Sequence, residues 1–239
     1  MLEAIEQGFS VCAYSGELPG PIFRYWIELQ AAGRNNLIAK KDEYQEEKVY
    51  YVDPRAINRI REWHYDKFFL YDSFGGVTDE TLLKIFEYAA MRYNCKVFLV
   101  DNLMATAIDG ASDSGYYRRQ ADFVRQAKEF SVKHDVHVHI VAHPRKAEGR
   151  LTKFDVAGLA EITNWADNVF GLHRVGENDE QEIRSLDTLI DVFKCRFTGK
   201  QNEVVGLLFD NVSRRFYMPT IDRKYYAYGW QKMIGGASE

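Results

Sequence analysis

The sequence predicts an α/β fold: a mostly parallel sheet with helices on both faces, and antiparallel strands only at the C-terminal end. Three observations predict it. Short, apolar, strand-like runs alternate with helix-length segments through residues 9–173, the pattern of a sheet covered on both sides. Several of these runs, KVFLVDN among them, are apolar almost throughout, as strands buried on both faces are. Near the end, two strand-like runs, 188–196 and 203–210, flank the turn Thr198-Gly199-Lys200 and read as an antiparallel pair.

The elements follow in order. Residues 1–7 read as the end of a helix stopped by Gly8, and 9–14 as a short buried strand ending in Ser15-Gly16-Glu17. Pro19 and Pro21 suit a turn and the first positions of a helix that runs to Ala32 and closes at Gly33. Residues 34–53 are charged and aromatic without a clear period. Asp53-Pro54 starts a helix to about Trp63, 67–71 is a strand, and Thr78 caps a helix over 79–93. In that helix Leu82, Ile85, Phe86 and Ala89 share a face. Residues 96–103 form the next strand, 104–115 a small polar loop, and 116–134 a long helix with Ala121, Val124, Ala127, Phe130 and Ser131 inward. A strand over 137–142 ends at His143, a basic loop covers 144–156, a short helix 156–165 and a strand 168–173. There are no repeats and no linker, so residues 1–218 are expected to form one domain, followed by a polar, aromatic tail, 219–239.

Composition narrows the class. With 46% hydrophobic and 28% charged residues in 239, a substantial core is affordable. No apolar run approaches the ~20 residues of a membrane span, and the start lacks the basic-then-apolar layout of a secretory signal. Cys12, Cys95 and Cys195 lie in strand-like runs without metal-ligand spacing, as buried thiols of a reducing compartment do. The expectation is a cytoplasmic protein without a membrane partner, bacterial or phage-encoded rather than organellar. A net charge of −4 gives no global attraction to nucleic acid, so DNA binding would need a local basic patch.

The polar strand ends carry the chemistry. In a parallel sheet the carboxyl ends of the strands form the ligand crevice, which puts Glu17, Asp101 and His143 at one rim. An acid such as Asp101 can hold Mg²⁺ through water beside nucleotide phosphates. A carboxylate can orient water, and a histidine can sense a phosphate by hydrogen bonding. Taken singly each has a plainer reading: Asp101 a chance strand end, His143 a loop-edge residue, Glu17 a helix-start carboxylate favoured by the helix dipole.

Order adds what single residues lack. FLVDN, a small polar loop, a long helix, VHIVAHPRK, a basic loop, AGLAEITNWADNVFGLHR and KCRFTG occur in one series. The series resembles the helicase domain of the DnaB/Twinkle/phage primase-helicase family, a RecA-like ring ATPase, over residues 8–217. HPRK and ADNV are most similar to Twinkle, KCRFTG to the phage enzymes, and SGELP to the segment that carries the family's catalytic glutamate.

The resemblance implies a 5′-to-3′ DNA helicase that couples hydrolysis of ATP, or another NTP, with Mg²⁺ to movement along single-stranded DNA. It implies a ring of identical subunits, a hexamer, and a possible primase partner. Glu17 would polarise the attacking water, Asp101 would be the metal-associated acid, and His143 the phosphate sensor. Arg196, with Lys194 beside it, would reach a neighbouring subunit's nucleotide, where a guanidinium's forked donors suit the spread γ-phosphate charge. The alternative for both is a solvated strand edge. Arg145, Lys146, Arg150 and Lys153 would line the ring's channel and follow the DNA backbone without reading sequence.

The sequence departs from the family in two ways. No GxxxxGK[ST] phosphate loop occurs in the 239 residues, and in the family it would precede the strand at Phe9. The family's glutamate is usually followed by Met and Ser, whereas Glu17 is followed by Leu18 and Pro19, with a second proline at Pro21. The chain on its own is therefore expected to be inactive. Two other readings are a recombinase- or clock-type RecA relative, and a loop-free remnant that binds DNA or assembles with an active partner.

Overall fold

The computed structural model of the protein describes residues 1–41, 48–73, 77–106, 113–144, 150 and 160–232. Local sequence sets most element ends. Helix α1 (Leu2–Glu6) reaches strand β1 (Ser10–Ser15) through Gly8, whose φ of 91° suits a residue without Cβ. Helix α2 (Gly20–Ala32) has Pro21 in its first turn, where a missing N–H costs nothing, and stops at Gly33. Strands β2 (Leu37–Lys41) and β3 (Lys48–Val52) form a separate antiparallel ribbon. In helix α3 (Pro54–His64) the Asp53 carboxylate accepts from the Arg55 N–H at 2.8 Å. Strand β4 (Phe68–Tyr71) follows, and helix α4 (Asp79–Tyr93) is capped by Thr78 and ended by Asn94 in the left-handed region, φ 50°.

Strand β5 (Cys95–Asp101), helix α5 (Asp113–His134) and strand β6 (His137–Ile140) complete the first half. Helix α6 (Ala160–Trp165) leads to strands β7 (Asn168–Arg174), β8 (Thr188–Cys195), β9 (Glu203–Asp210) and β10 (Arg215–Tyr217), and the short helix α7 (Gly229–Lys232) comes last.

The first sheet has the order β4-β1-β5-β6 and is parallel throughout. The second, β10-β9-β8-β7, is antiparallel throughout. The fold class is therefore the expected RecA-like α/β arrangement. Alternation along β1 and β5 builds a core on each face of the first sheet. Cys12, Tyr14, Phe98 and Val100 face Leu82 and Phe86 of α4 and Phe123 and Phe130 of α5. Val11 and Ala13 face Ile5, Phe23, Ile27 and Ile60 of α1, α2 and α3. Phe98 lies between Phe86 and Phe130, with ring centroids 4.8 and 5.2 Å away, and is fully buried, worth about 1.5–3 kcal/mol in transfer alone.

Two regions differ from the pattern read in the sequence. Within 34–53, a stretch without a legible period, Leu37–Lys41 and Lys48–Val52 form the β2–β3 ribbon, whose strands are exposed enough that no alternation is imposed. The segment after Pro219 is tied to the core as far as Lys232. Tyr228 and Trp230 are buried against α3 and α2, and the Trp230 indole donates to the Ala31 carbonyl at 2.9 Å. The buried Arg215 guanidinium fastens that segment by donating to the carbonyls of Gln30 (2.7 Å), Arg223 and Tyr226 (both 2.8 Å). Residues 233–239 lie outside the described residues. Among the described residues no helix is long and apolar enough to cross a membrane.

Candidate active site

Because β1, β5 and β6 are parallel neighbours, their carboxyl ends share one rim, and the chain there is held by backbone bonds. The Gly16 N–H donates to the Asp101 carbonyl at 2.7 Å, the Val141 N–H to Val100 at 2.9 Å, and the Leu103 N–H to Val141 at 2.8 Å. Three sequence-predicted residues meet on this frame. The imidazole Nε2 of His143 lies 2.7 Å from Oε1 of Glu17, and the buried Asn102 amide donates to the same oxygen. Asp101, one strand end away, accepts from the Ser15 hydroxyl at 2.9 Å. That hydroxyl in turn accepts the Leu18 N–H at 3.1 Å, which fixes the turn carrying Glu17. The side chains of Glu17 and His143 are 48% and 51% exposed, so the pair opens to a ligand from solvent.

Three participants were not singled out in the sequence. Ser15 and Asn102 adjoin the residues that were, and serve as their hydrogen-bonding supports. Asp72, at the end of β4, accepts from the Gly20 N–H at 3.2 Å and caps the start of α2. A Cβ at Gly20 would run into that carboxylate, so the glycine lets the helix end approach it. Position at a strand end was the available signal for Asp72, the same one that marked Asp101.

The rim is acidic. Among the described residues, no lysine or arginine pairs with Glu17, Asp72 or Asp101. Nor do three acidic, histidine or cysteine side chains form a cage for a metal there. A single carboxylate with waters and substrate phosphates is how Mg²⁺ is commonly held, and Asp101, with one oxygen bound by Ser15, fits that use.

The second predicted group lies elsewhere. Lys194 and Arg196 stand at the C-terminal end of β8 and turn to the C-terminal carbonyls of α6. Lys194 Nζ donates to Thr163 and Asn164 at 2.8 and 3.1 Å, and Arg196 donates to Asn164 at 2.9 Å. Asp167 holds the Arg196 guanidinium at 3.3 Å and the Lys128 ammonium of α5 at 2.5 Å. Cations there satisfy carbonyls that have no partner within the helix. Burial, then the neighbouring Arg196 charge, holds the Lys194 pKa below its ordinary value. Neither cation hydrogen-bonds or ion-pairs with Glu17, Asp101 or His143. Arg196 keeps 47% of its side chain exposed.

Of the predicted DNA-binding residues, Arg145, Lys146 and Lys153 lie outside the described residues. Arg150 is described: its Nε lies 3.1 Å from both carboxylate oxygens of Asp191 on β8, and a terminal nitrogen donates to the same group. Asp191, 10% exposed, was not foreseen.

Comparison with known proteins gives the fold. No family model matches the chain, and no curated protein matches it in sequence. Among solved structures, a DnaB-like replicative helicase, described with its interactions with primase, superposes with a TM-score of 0.70 and 16% identity. The fold is that of a DnaB-type helicase domain. That match covers 90% of this chain and 52% of the helicase, so the chain spans about half the length of that relative. A second solved structure, described as an ATPase domain, superposes with a TM-score of 0.63 and 16% identity, over 89% of this chain and 75% of that domain.

Proposed function

We propose that the chain is part of the ATPase core of a replicative DNA helicase that couples NTP hydrolysis to 5′-to-3′ translocation on single-stranded DNA. The observation that supports it most is the Glu17–His143 contact beside Asp101 at adjacent parallel strand ends in a DnaB-type fold. Glu17, fixed by Asn102 and half-exposed, orients and accepts a proton from the attacking water. His143, bonded to the same oxygen, senses whether a γ-phosphate is present and reports it through the loop that follows β6. Asp101, supported by Ser15, would hold Mg²⁺, which when bound would supply positive charge to neutralise the phosphates.

Arg196 serves a neighbouring subunit's nucleotide in a ring, a hexamer, and the loop of Arg145, Lys146, Arg150 and Lys153 follows the DNA backbone. Primase is the candidate partner, since the DnaB-like helicase of similar fold is described as interacting with one. The 239 residues hold no GxxxxGK[ST], so hydrolysis needs a phosphate loop in addition to them.

The test uses two preparations, the 239-residue chain and a form carrying a phosphate loop ahead of it. The first releases negligible phosphate from Mg²⁺-ATP. The second is stimulated by single-stranded DNA and unwinds a forked duplex that has a 5′ tail. Hydrolysis indifferent to DNA, without unwinding, would instead favour an ATPase that is not a motor.

A further inference from the structure

An acid sits in the interior of β8. That strand lies between β7 and β9, and Asp191 stands in its middle, flanked by Leu189, Ile190, Val192 and Phe193, with Gly171 and Val204 as register partners. The residue is 7% exposed, and among the described residues its hydrogen bonds all go to Arg150. A buried ion pair stabilises a fold little, and apolar side chains of similar volume often replace one without loss. Stability alone therefore does not account for an acid at this position.

The pair is asymmetric. Arg150 comes from the basic loop, 41 residues earlier in the chain, and gives Asp191 one edge of its guanidinium. Nε donates to both carboxylate oxygens at 3.1 Å, and Nη2 donates to Oδ1. Nη1 makes no hydrogen bond among the described residues, and 44% of the Arg150 side chain is exposed against 10% for Asp191. A guanidinium holds its five N–H donors in one rigid plane, so the edge turned from Asp191 keeps donors for a second anion. Asp179 and Glu180 lie near enough to act on Arg150, but Asp179 is bonded to the His173 imidazole at 2.9 Å and accepts the Gly176 N–H at 2.8 Å.

A phosphate that arrives at this pair either draws Arg150 away or binds its other edge. Drawing it away strands a nearly buried carboxylate, which costs more than one solvent-screened phosphate contact returns. Bridging leaves the carboxylate paired. We infer that Asp191 is a positioning residue for single-stranded DNA: it holds Arg150 by one edge so that the other edge meets a backbone phosphate at a fixed point of the basic loop. The side-chain freedom that binding would otherwise remove from Arg150 is already lost in the free chain. The DNA contact rests on the proposed function; the anchoring rests on the Arg150–Asp191 pair itself.

The test is binding of fluorescein-labelled oligo(dT) by the 239-residue chain, read as anisotropy over a salt series beside thermal melts. Arg150→Ala should lower both the affinity and the salt slope, the slope by about one. Asp191→Asn keeps every cation, so the slope should hold while affinity falls by about 3-fold or more, even though a negative charge has been removed. The two changes together should lose no more affinity than Arg150→Ala alone. Arg150→Lys keeps the charge and the ion pair but has no second edge, so it should melt near the parent and bind like Arg150→Ala. It carries the test if Asp191→Asn does not fold. An Asp191→Asn protein that binds as tightly as the parent, or more tightly, would overturn the anchor, and so would Arg150→Lys at parental affinity. No binding by the parent at low salt, or unchanged affinity and slope in Arg150→Ala, would instead sink the DNA path itself and the inference with it.

Discussion

The crevice at the end of the parallel sheet and the cation pair at the C-terminal end of β8 are built in opposite ways. At the crevice, side chains from β1, β5 and β6 contact one another: His143 and Asn102 meet on Glu17, and Ser15 meets Asp101. At β8, Lys194 and Arg196 meet nothing from the crevice and turn to the carbonyls of α6 and to Asp167. The first arrangement is assembled by the sheet within one chain. The second either finishes a helix end or waits to be drawn off by a stronger anion. A phosphate is such an anion, since bidentate charge-assisted bonds to a guanidinium exceed those to neutral carbonyls.

The largest expected effect separates those two roles of Arg196. In a form that carries a phosphate loop, Arg196→Ala should lower turnover by roughly 10³-fold if the residue stabilises a neighbour's transition state. Nucleotide affinity should change far less, because that interaction matters mainly in the transition state. Mixing this variant with Glu17→Gln subunits should recover some activity, since one interface in the mixture pairs an intact Glu17 with an intact Arg196. If Arg196 only caps α6, the variant melts earlier while its folded fraction hydrolyses ATP normally.

A smaller effect concerns the basic loop. Replacing Lys146 and Arg150 together with alanine should weaken single-stranded DNA binding equally across sequences and lower the salt slope by about one per lost phosphate contact. Arg150 is held by Asp191, so Arg150→Ala alone should also destabilise the chain by leaving a nearly buried carboxylate unpaired. Filter binding over a salt series, beside thermal melts, checks both. Unchanged affinity and slope in the double variant would remove the loop from the DNA path.

The smallest effect compares the regions by their thiols. Burial lifts Cys12 and Cys95 to about 12, whereas hydrogen bonds from Thr198 lower the Cys195 pKa at the end of β8. Native protein at pH 8 should therefore take up one equivalent of iodoacetamide, at Cys195, and three once unfolded, as mass spectrometry would read. Both buried thiols have folded pKa values above the ordinary 9, so their contribution to stability is full below about pH 9 and declines toward 12. Rapid native labelling of Cys12 or Cys95 would contradict the closed core under the crevice.

How much of this was legible depends on what each feature is made of. The α4 boundaries were readable because Thr78 and the residues after it are local signals. Glu17, Asp101 and His143 were readable because an apolar run ending in a polar residue marks a strand's carboxyl end. The β2–β3 ribbon was not, since its exposed strands need no apolar alternation. Asp191, Asp167 and Asp72 were missed for another reason. Their partners, Arg150, Arg196 and Gly20, lie 29–52 residues away in sequence, and nothing in either segment names the other. The tail beyond Pro219 hid its role similarly, because Trp230 reads as a stray aromatic until Ala31 is seen beside it.

The side chains at the ends of β1, β5 and β6 are proposed to form the hydrolytic site. Glu17→Gln tests it most directly: it preserves the shape of the side chain while removing the base, in a form carrying a phosphate loop. DNA-stimulated phosphate release should fall by about 10²-fold or more, in line with loss of a general base, while binding of a fluorescent ATP analogue persists. Release at the parent rate from a Glu17→Gln protein that still binds nucleotide would mean the hydrolytic site lies elsewhere.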